Sequence, residues 1–192
     1  EKRSLTLDDM ENFRYQLKQS IKRQSMSDAG IGCYVSGGID SSAIAYELSK
    51  MQDHLRTYSV EFSDKQYDES IHQSLIVSMI QSDHQSINIS DDVIGDYFPL
   101  VCEYIQQPFF RTAPVPLYLL SKSVKQNFQK VIMTGEGADE ILFGYDIFRE
   151  QACIDFINQK PGSKWRFKSI DHLYSYLPQF KNLKVLKTRD SN

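Results

Sequence analysis

Two short stretches of this sequence combine glycine, hydroxyl and carboxylate side chains at a spacing suited to holding a chain of phosphates. The first is Ser36-Gly37-Gly38-Ile39-Asp40-Ser41-Ser42. Its glycines let the backbone bend close to a ligand, and the small hydroxyls and the amides of a following helix can face an anion. The stretch lacks the lysine and the spacing of a Walker A loop, and it lacks the G-x-G-x-x-G order of dinucleotide folds. Without that lysine the phosphate charge needs another partner, and Asp40 at the helix start can help to hold Mg²⁺, which prefers carboxylate and phosphate oxygens. The second stretch is Thr134-Gly135-Glu136-Gly137-Ala138-Asp139-Glu140, with three carboxylates in five residues. Crowded carboxylates repel unless cations share them, so Asp139 is the second candidate Mg²⁺ ligand. Glu136 is the candidate to position a nucleophile or accept a proton.

Both stretches follow short apolar runs. Ile31 to Val35 and Lys130 to Thr134 read as strands that stop at glycines, and Tyr58 to Phe62 and His84 to Ile89 read as two more. Between them lie helical stretches: residues 6 to about 24, opened by Thr6 and Asp9 as a capping box and carrying Met10, Phe13, Leu17 and Ile21; Asp40 to about Met51; one after Tyr67-Asp68-Glu69-Ser70 with Ile71, Leu75 and Met79 toward the core; and one capped by Ser90. Pro108, Pro114 and Pro116 exclude a regular element across residues 107 to 116, and helical spacing resumes from Leu117 to Val124. A short helix and turn are expected from Ala138 to Gly144, and the chain beyond Tyr145 reads as helical and aromatic. Alternating strands and helices with one late strand predict an α/β fold: a parallel twisted sheet with helices on both faces and a helical C-terminal part. In such sheets ligands bind beyond the carboxyl ends of the strands, where both glycine stretches fall.

Composition narrows the alternatives. The 192 residues suit one domain, which the reading assigns to residues 1–192, and a chain of this size buries roughly 70% of its extended surface. Lys and Arg number 22 against 25 Asp and Glu, a net charge of -3 that argues against a nucleic-acid binder. Cys33, Cys102 and Cys153 stand far apart, with the spacing of neither a disulfide framework nor a zinc site, so a cytoplasmic setting is expected. No apolar run approaches a membrane span, and no signal-peptide core follows Glu1-Lys2-Arg3. The start without methionine and the finish at Lys187-Thr188-Arg189-Asp190 suggest a piece of a longer polypeptide.

Ser36 to Ser42 resembles the SGGxDSS signature of the PP-loop ATP pyrophosphatases. Thr134 to Glu140 with Phe143-Gly144-Tyr145 resembles the SGEGxDE...GGY segment of asparagine synthetases, and Tyr58 to Phe62, Tyr67 to Ser70 and Pro114 to Ser121 match further segments. The resemblance covers residues 5 to about 178. It implies an adenine nucleotide α-hydrolase-like fold and a synthetase domain that uses ATP and Mg²⁺ to adenylate the β-carboxylate of aspartate. Ammonia then attacks, giving asparagine, AMP and pyrophosphate. By the same resemblance Ser36, Gly37, Gly38, Ser41 and Ser42 hold pyrophosphate, Asp40 and Asp139 bind Mg²⁺, and Glu136 stands by the acyl-adenylate. Tyr34 and Val60 line the adenine pocket, and Thr134 and Gly135 lie beside the nucleotide. The family's glutaminase domain, with its cysteine nucleophile, is absent from these residues, so it is the expected partner in the parent chain. A homodimer is a compatible assembly. The family's C-terminal lysine is not matched to Lys184 or Lys187, and one glycine precedes Tyr145 where the family has two.

Other residues take plainer readings. Asp68 and Glu69 favour a helix start. His54, His72, His84 and His172 show no ligand spacing and are read as surface or satisfied histidines. Trp165, Phe167, Tyr174, Tyr176 and Phe180 read as core or domain contact, and Lys122, Lys125 and Lys130 as solvated. Three alternatives stay open: a β-lactam synthetase or lasso-peptide cyclase type of ligase acting on another carboxylate, a tRNA-modifying PP-loop enzyme, and a nucleotide-binding fragment inactive by itself.

Overall fold

The computed structural model describes residues 4–107, 109–163 and 165–173. The chain divides into two compact units, with the break between Glu136 and Gly137.

The first unit opens with α1 (Leu7–Gln24). Thr6 and Asp9 form the expected capping box: the Asp9 N–H donates to Thr6 Oγ1 at 3.2 Å and the Thr6 N–H to Asp9 Oδ2 at 2.9 Å. There follow β1 (Ile31–Tyr34), α2 (Ile39–Ser49), β2 (Arg56–Phe62), α3 (Ser70–Ile80), β3 (Asp83–Ile89), α4 (Asp91–Ile105), α5 (Pro114–Gln126) and β4 (Val131–Met133). The four strands form one parallel sheet in the order β3-β2-β1-β4. Alternation along β1 divides its side chains between two layers. Cys33 and Val35 pack with Ile21, Ala45, Leu48 and Ile76 from α1, α2 and α3. Tyr34 joins Tyr58, Val60, Leu120 and Val124 in a second cluster built with α5. Helices therefore cover both faces, as the strand and helix order predicted.

Three expectations need correction. On α3, Ile71, Leu75 and Met79 are exposed, and Gln73, Ile76 and Ile80 face the sheet instead. Two apolar stripes compete on this helix, and the one that docks contains a glutamine that finds a buried hydrogen bond, so hydropathy pointed to the wrong face. On α1 only the C-terminal half docks: Ile21 is buried and Leu17 packs against the core, whereas Met10 and Phe13 are about half exposed. Pro114 and Pro116 do not interrupt structure but lie in the first turn of α5, where the missing N–H is one that a helix leaves unpaired in any case. Pro108 lies outside the described residues.

The second unit holds α6 (Ala138–Leu142), α7 (Asp146–Asn158) and a 3₁₀ helix (Arg166–His172). Within it Trp165 meets Phe156 edge-on, with ring centroids 5.9 Å apart, and the Arg166 guanidinium lies 4.3 Å from the centre of the Phe156 ring. Tyr174, Tyr176, Phe180, Lys184 and Lys187 lie outside the described residues. Among the described residues no helix is long and apolar enough to cross a membrane.

Candidate functional site

Strand order locates the site. The chain adds β2 and β3 on one side of β1 and then returns to place β4 on the other, with the helix that follows β1 (α2) and the helix that precedes β4 (α5) on opposite faces, an arrangement that opens a crevice between the carboxyl ends of β1 and β4. Gly32 pairs with Ile132 and Cys33 with Met133, which brings the residues after Tyr34 and after Met133 out at the same end. Those residues are the two glycine stretches.

The first stretch is braced from within. Ser41, 6% exposed, accepts the Ser36 N–H at 3.1 Å on its hydroxyl, shares a 2.9 Å hydrogen bond with Ser36 Oγ, and donates to the Gly38 carbonyl at 3.3 Å. The Gly38 N–H donates to Ser36 Oγ at 3.3 Å. Gly37 holds φ at 87°, and a methyl group there would fall 2.9 Å from His72 Cβ, at the start of α3. The first intrahelical bond of α2 is Ser42 N–H to Gly38 carbonyl, so the N–H groups of Ile39, Asp40 and Ser41 have no helical acceptor. Unpaired amides at the positive end of a helix suit an anion. Asp40 is half-buried and, among the described residues, has no hydrogen-bond or ion-pair partner.

The second stretch reaches the first at Gly135. A methyl group on Gly135 would stand 3.0 Å from the Ser41 amide nitrogen and 3.3 Å from both the carbonyl carbon and Cβ of Asp40. The chain leaving β4 thus lies directly on the first turn of α2, and only a residue without a side chain lets it pass. Thr134 and Gly135 are half-buried, and Glu136 is exposed. Two bends far apart in sequence therefore meet at one end of the sheet.

The profile of the asparagine synthase family matches residues 12–190. The chain belongs to the asparagine synthase family. Among its relatives, glutamine-hydrolysing asparagine synthetase 1 of Bacillus subtilis is 28% identical over 171 residues, which cover 88% of this chain and 26% of that protein. A putative glutamine-hydrolysing asparagine synthetase of Mycobacterium bovis is 31% identical over 134 residues, covering 70% of this chain and 20% of its own. The chain spans about a quarter or less of the length of these relatives. A solved NH3-dependent NAD synthetase from Campylobacter jejuni aligns with 71% of this chain and 61% of its own at a TM-score of 0.47 and 15% identity.

The remaining family positions fall in separate surroundings. Tyr34 and Val60 flank the same apolar cluster under α5, and the Tyr34 hydroxyl lies 3.1 Å from Ser121 Oγ. In the second unit Gly137 holds φ at 93° at the start of α6, and the half-buried Asp139 carboxylate lies against Gly144, so a side chain at residue 144 would collide with it. Tyr145 donates its hydroxyl to Glu140 at 2.8 Å. Phe143, where the family has a second glycine, adopts φ of 58°, and its ring meets Phe148 edge-on at 5.0 Å. Among the described residues no three His, Cys, Asp or Glu side chains converge to hold a metal ion. A Mg²⁺ ion here would draw on single carboxylates, phosphate oxygens and water, the mixed shell this ion commonly keeps.

Asp68 accepts the Ser70 hydroxyl at 2.6 Å and the Ser70 N–H at 3.3 Å, and these bonds hold its carboxyl below the usual range. Its task is to start α3. Burial pushes the Cys33 thiol up to about 12, so this cysteine is not a nucleophile. His84 is satisfied, with Nδ1 2.9 Å from Thr57 Oγ1 and Nε2 3.1 Å from Ser59 Oγ. Sequence reasoning missed two residues beside the site, Ser121 and Gln73. Gln73 had one visible signal: a lone amide in register with Ile76 and Ile80 on an apolar helix.

Proposed function

We propose that this chain is the synthetase portion of an ATP-dependent, amide-forming ligase that activates the β-carboxylate of aspartate and passes it to ammonia. One observation carries the reading: Gly135 lies on the Ser41 amide, so the chain leaving β4 borders the anion-facing first turn of α2. The names of the relatives, and the family's use of ATP, supply the substrate class.

The residues would divide the work as follows. Ser36 to Ser42 present backbone amides to the β- and γ-phosphates, with the Ser41 hydroxyl keeping the loop in shape. Tyr34 and Val60 border the adenine, and Thr134 and Gly135 pass beside the nucleotide. Asp40 in the first unit and Asp139 in the second are each proposed as a Mg²⁺ ligand. Mg²⁺ at either position would offset phosphate charge, which the first stretch, with no lysine, does not itself neutralise. A carboxylate oxygen of aspartate attacks the α-phosphorus, the bond to the bridging oxygen breaks, and pyrophosphate leaves. Ammonia then attacks the acyl carbon, AMP leaves with the carbon–oxygen bonding pair, and the nitrogen loses a proton, for which Glu136 is the proposed acceptor. Alignment and charge neutralisation are the main demands of the first step, and a pre-formed amide cradle meets both.

Ammonia would come from glutamine hydrolysis in a glutaminase domain of the parent protein, in a cytoplasmic setting. The test is exchange of labelled pyrophosphate into ATP by the intact parent protein, with aspartate and with a panel of other carboxylic acids. Aspartate-dependent exchange is expected. Exchange with another acid and none with aspartate would move the protein to the β-lactam synthetase or lasso-peptide cyclase type of ligase.

A further inference from the structure

Gln73 is 4% exposed on α3, among the apolar residues that dock this helix on the sheet. Its Nε2 donates to the Val60 carbonyl at 2.9 Å. Because the partner is a carbonyl, the amide has one orientation, with nitrogen toward Val60 and oxygen away. That Oε1 is buried and has no hydrogen-bond partner among the described residues. A methionine would fill similar space and remove the unpaired Oε1, at the cost of the donor to the Val60 carbonyl, so what the amide adds beyond packing is its hold on that carbonyl.

The carbonyl it holds has a particular place. The last bond from β1 to β2 runs from the Val35 N–H to the Tyr58 carbonyl at 2.9 Å. Carbonyls two residues apart on a strand point the same way, so the Val60 carbonyl points toward β1 one step beyond the end of that strand, where Ser36-Gly37-Gly38 begins. The main chain of Gln73 also borders this loop: a methyl group on Gly37 would stand 3.2 Å from the Gln73 nitrogen. One residue thus touches the phosphate-facing loop with its backbone and the end of β2 with its side chain.

We propose that Gln73 is a positioning residue for the nucleotide base, holding the Val60 main chain in the orientation in which β2 meets the adenine ring. The inference rests on the ATP reading above. The side chain acts on the base alone, and the contact with the phosphate loop is made by main chain that a substitution keeps. Removing the amide therefore weakens binding of ligands that carry adenine and spares bare pyrophosphate.

The experiment is calorimetric titration of AMP, and separately of Mg-pyrophosphate, into the full chain as wild type, Gln73→Met and Gln73→Glu, with thermal melts of each. Gln73→Met exchanges one unpaired acceptor for another and is expected to melt close to the wild-type temperature while binding AMP about five- to tenfold more weakly, with pyrophosphate affinity unchanged. Gln73→Glu is expected to bind AMP poorly when ionised and to recover as pH falls, because a protonated carboxyl can donate to the Val60 carbonyl. Wild-type AMP affinity in Gln73→Met overturns the inference. So does an equal loss of both ligands with a lower melting temperature, the signature of a merely structural role. A wild-type chain that binds neither ligand overturns the ATP reading itself, and the inference with it.

Discussion

Gly135 passes the first turn of α2 so closely that a single methyl group on it would stand 3.0 Å from the Ser41 amide nitrogen. The atom it would meet is backbone, held in place by the Ser41 and Ser36 hydroxyl network, so it cannot swing aside as a flexible side chain would. Gly135→Ala is therefore expected to cost about 1–3 kcal/mol of stability, the usual range for overpacking. Because the strain falls where phosphate is proposed to bind, Mg-ATP affinity should fall as well. Urea denaturation with parallel titrations checks both, and an alanine variant as stable as wild type would show that the two loops are not in contact.

Asp40 tests the metal. The side chain has no partner among the described residues, so Asp40→Asn is expected to change stability by no more than about 1 kcal/mol, its helix-dipole contribution. Mg-ATP should bind at least about tenfold more weakly. With Mg²⁺ removed by chelator, the variant should bind ATP at least as well as wild type, because the bare carboxylate repels the phosphates. A loss of ATP binding by the variant that persists in chelator would assign Asp40 a role other than holding the ion.

Ser41 is a brace. Its hydroxyl meets the Ser36 N–H, the Ser36 hydroxyl and the Gly38 carbonyl inside the loop, so Ser41→Ala strips the Ser36 N–H of its acceptor and the other two groups of one bond each, and should cost about 1–3 kcal/mol. Ser41→Cys should recover little, since sulfur is a weak acceptor. Denaturant midpoints of the two variants give the comparison.

His84 supplies a pH signature unrelated to catalysis. Burial pulls its pKa below the ordinary 6.5 against the opposing effects of Glu61, a hydrogen bond with Thr57, and Asp83. The unfolded chain therefore takes up the proton before the folded one does. Stability from this group is full above the ordinary histidine value and is lost as pH falls below it toward the depressed folded value. Wild type should lose more stability than His84→Gln between about pH 7.5 and 5.5. Parallel pH profiles for the two proteins would show that the histidine does not titrate against the fold.

Much of the frame was legible because the apolar runs of β1 and β4 lead within three residues into glycines that no strand would continue through. Ile31 to Tyr34 and Val131 to Met133 are short apolar runs that run on toward Gly37 and Gly135, and their order with the intervening helices implies parallel pairing and a crevice at the carboxyl ends. The details that escaped depend on competition between near-equal choices. Ile71, Leu75 and Met79 make as good an apolar stripe as the one that docks, and the docked face adds to Ile76 and Ile80 a hydrogen bond from Gln73 to Val60 that hydropathy does not register. Pro114 and Pro116 read as breakers because the same residue both ends helices and starts them. The Ser41 hydroxyl was expected to face an anion, whereas three loop groups already engage it. Phe143 occupies a left-handed turn that favours glycine, and its edge contact with Phe148 is a tertiary compensation that no local pattern announces.

The most direct test of the shared crevice is an amide NMR titration of the chain with Mg-pyrophosphate, which reports each loop separately. The account predicts that the amides of residues 37–41 and of Gly135 shift together, along one saturation curve, while Arg56 and Lys130 at the opposite end of the sheet stay still. Shifts confined to one loop, or centred on Arg56 and Lys130, would contradict it.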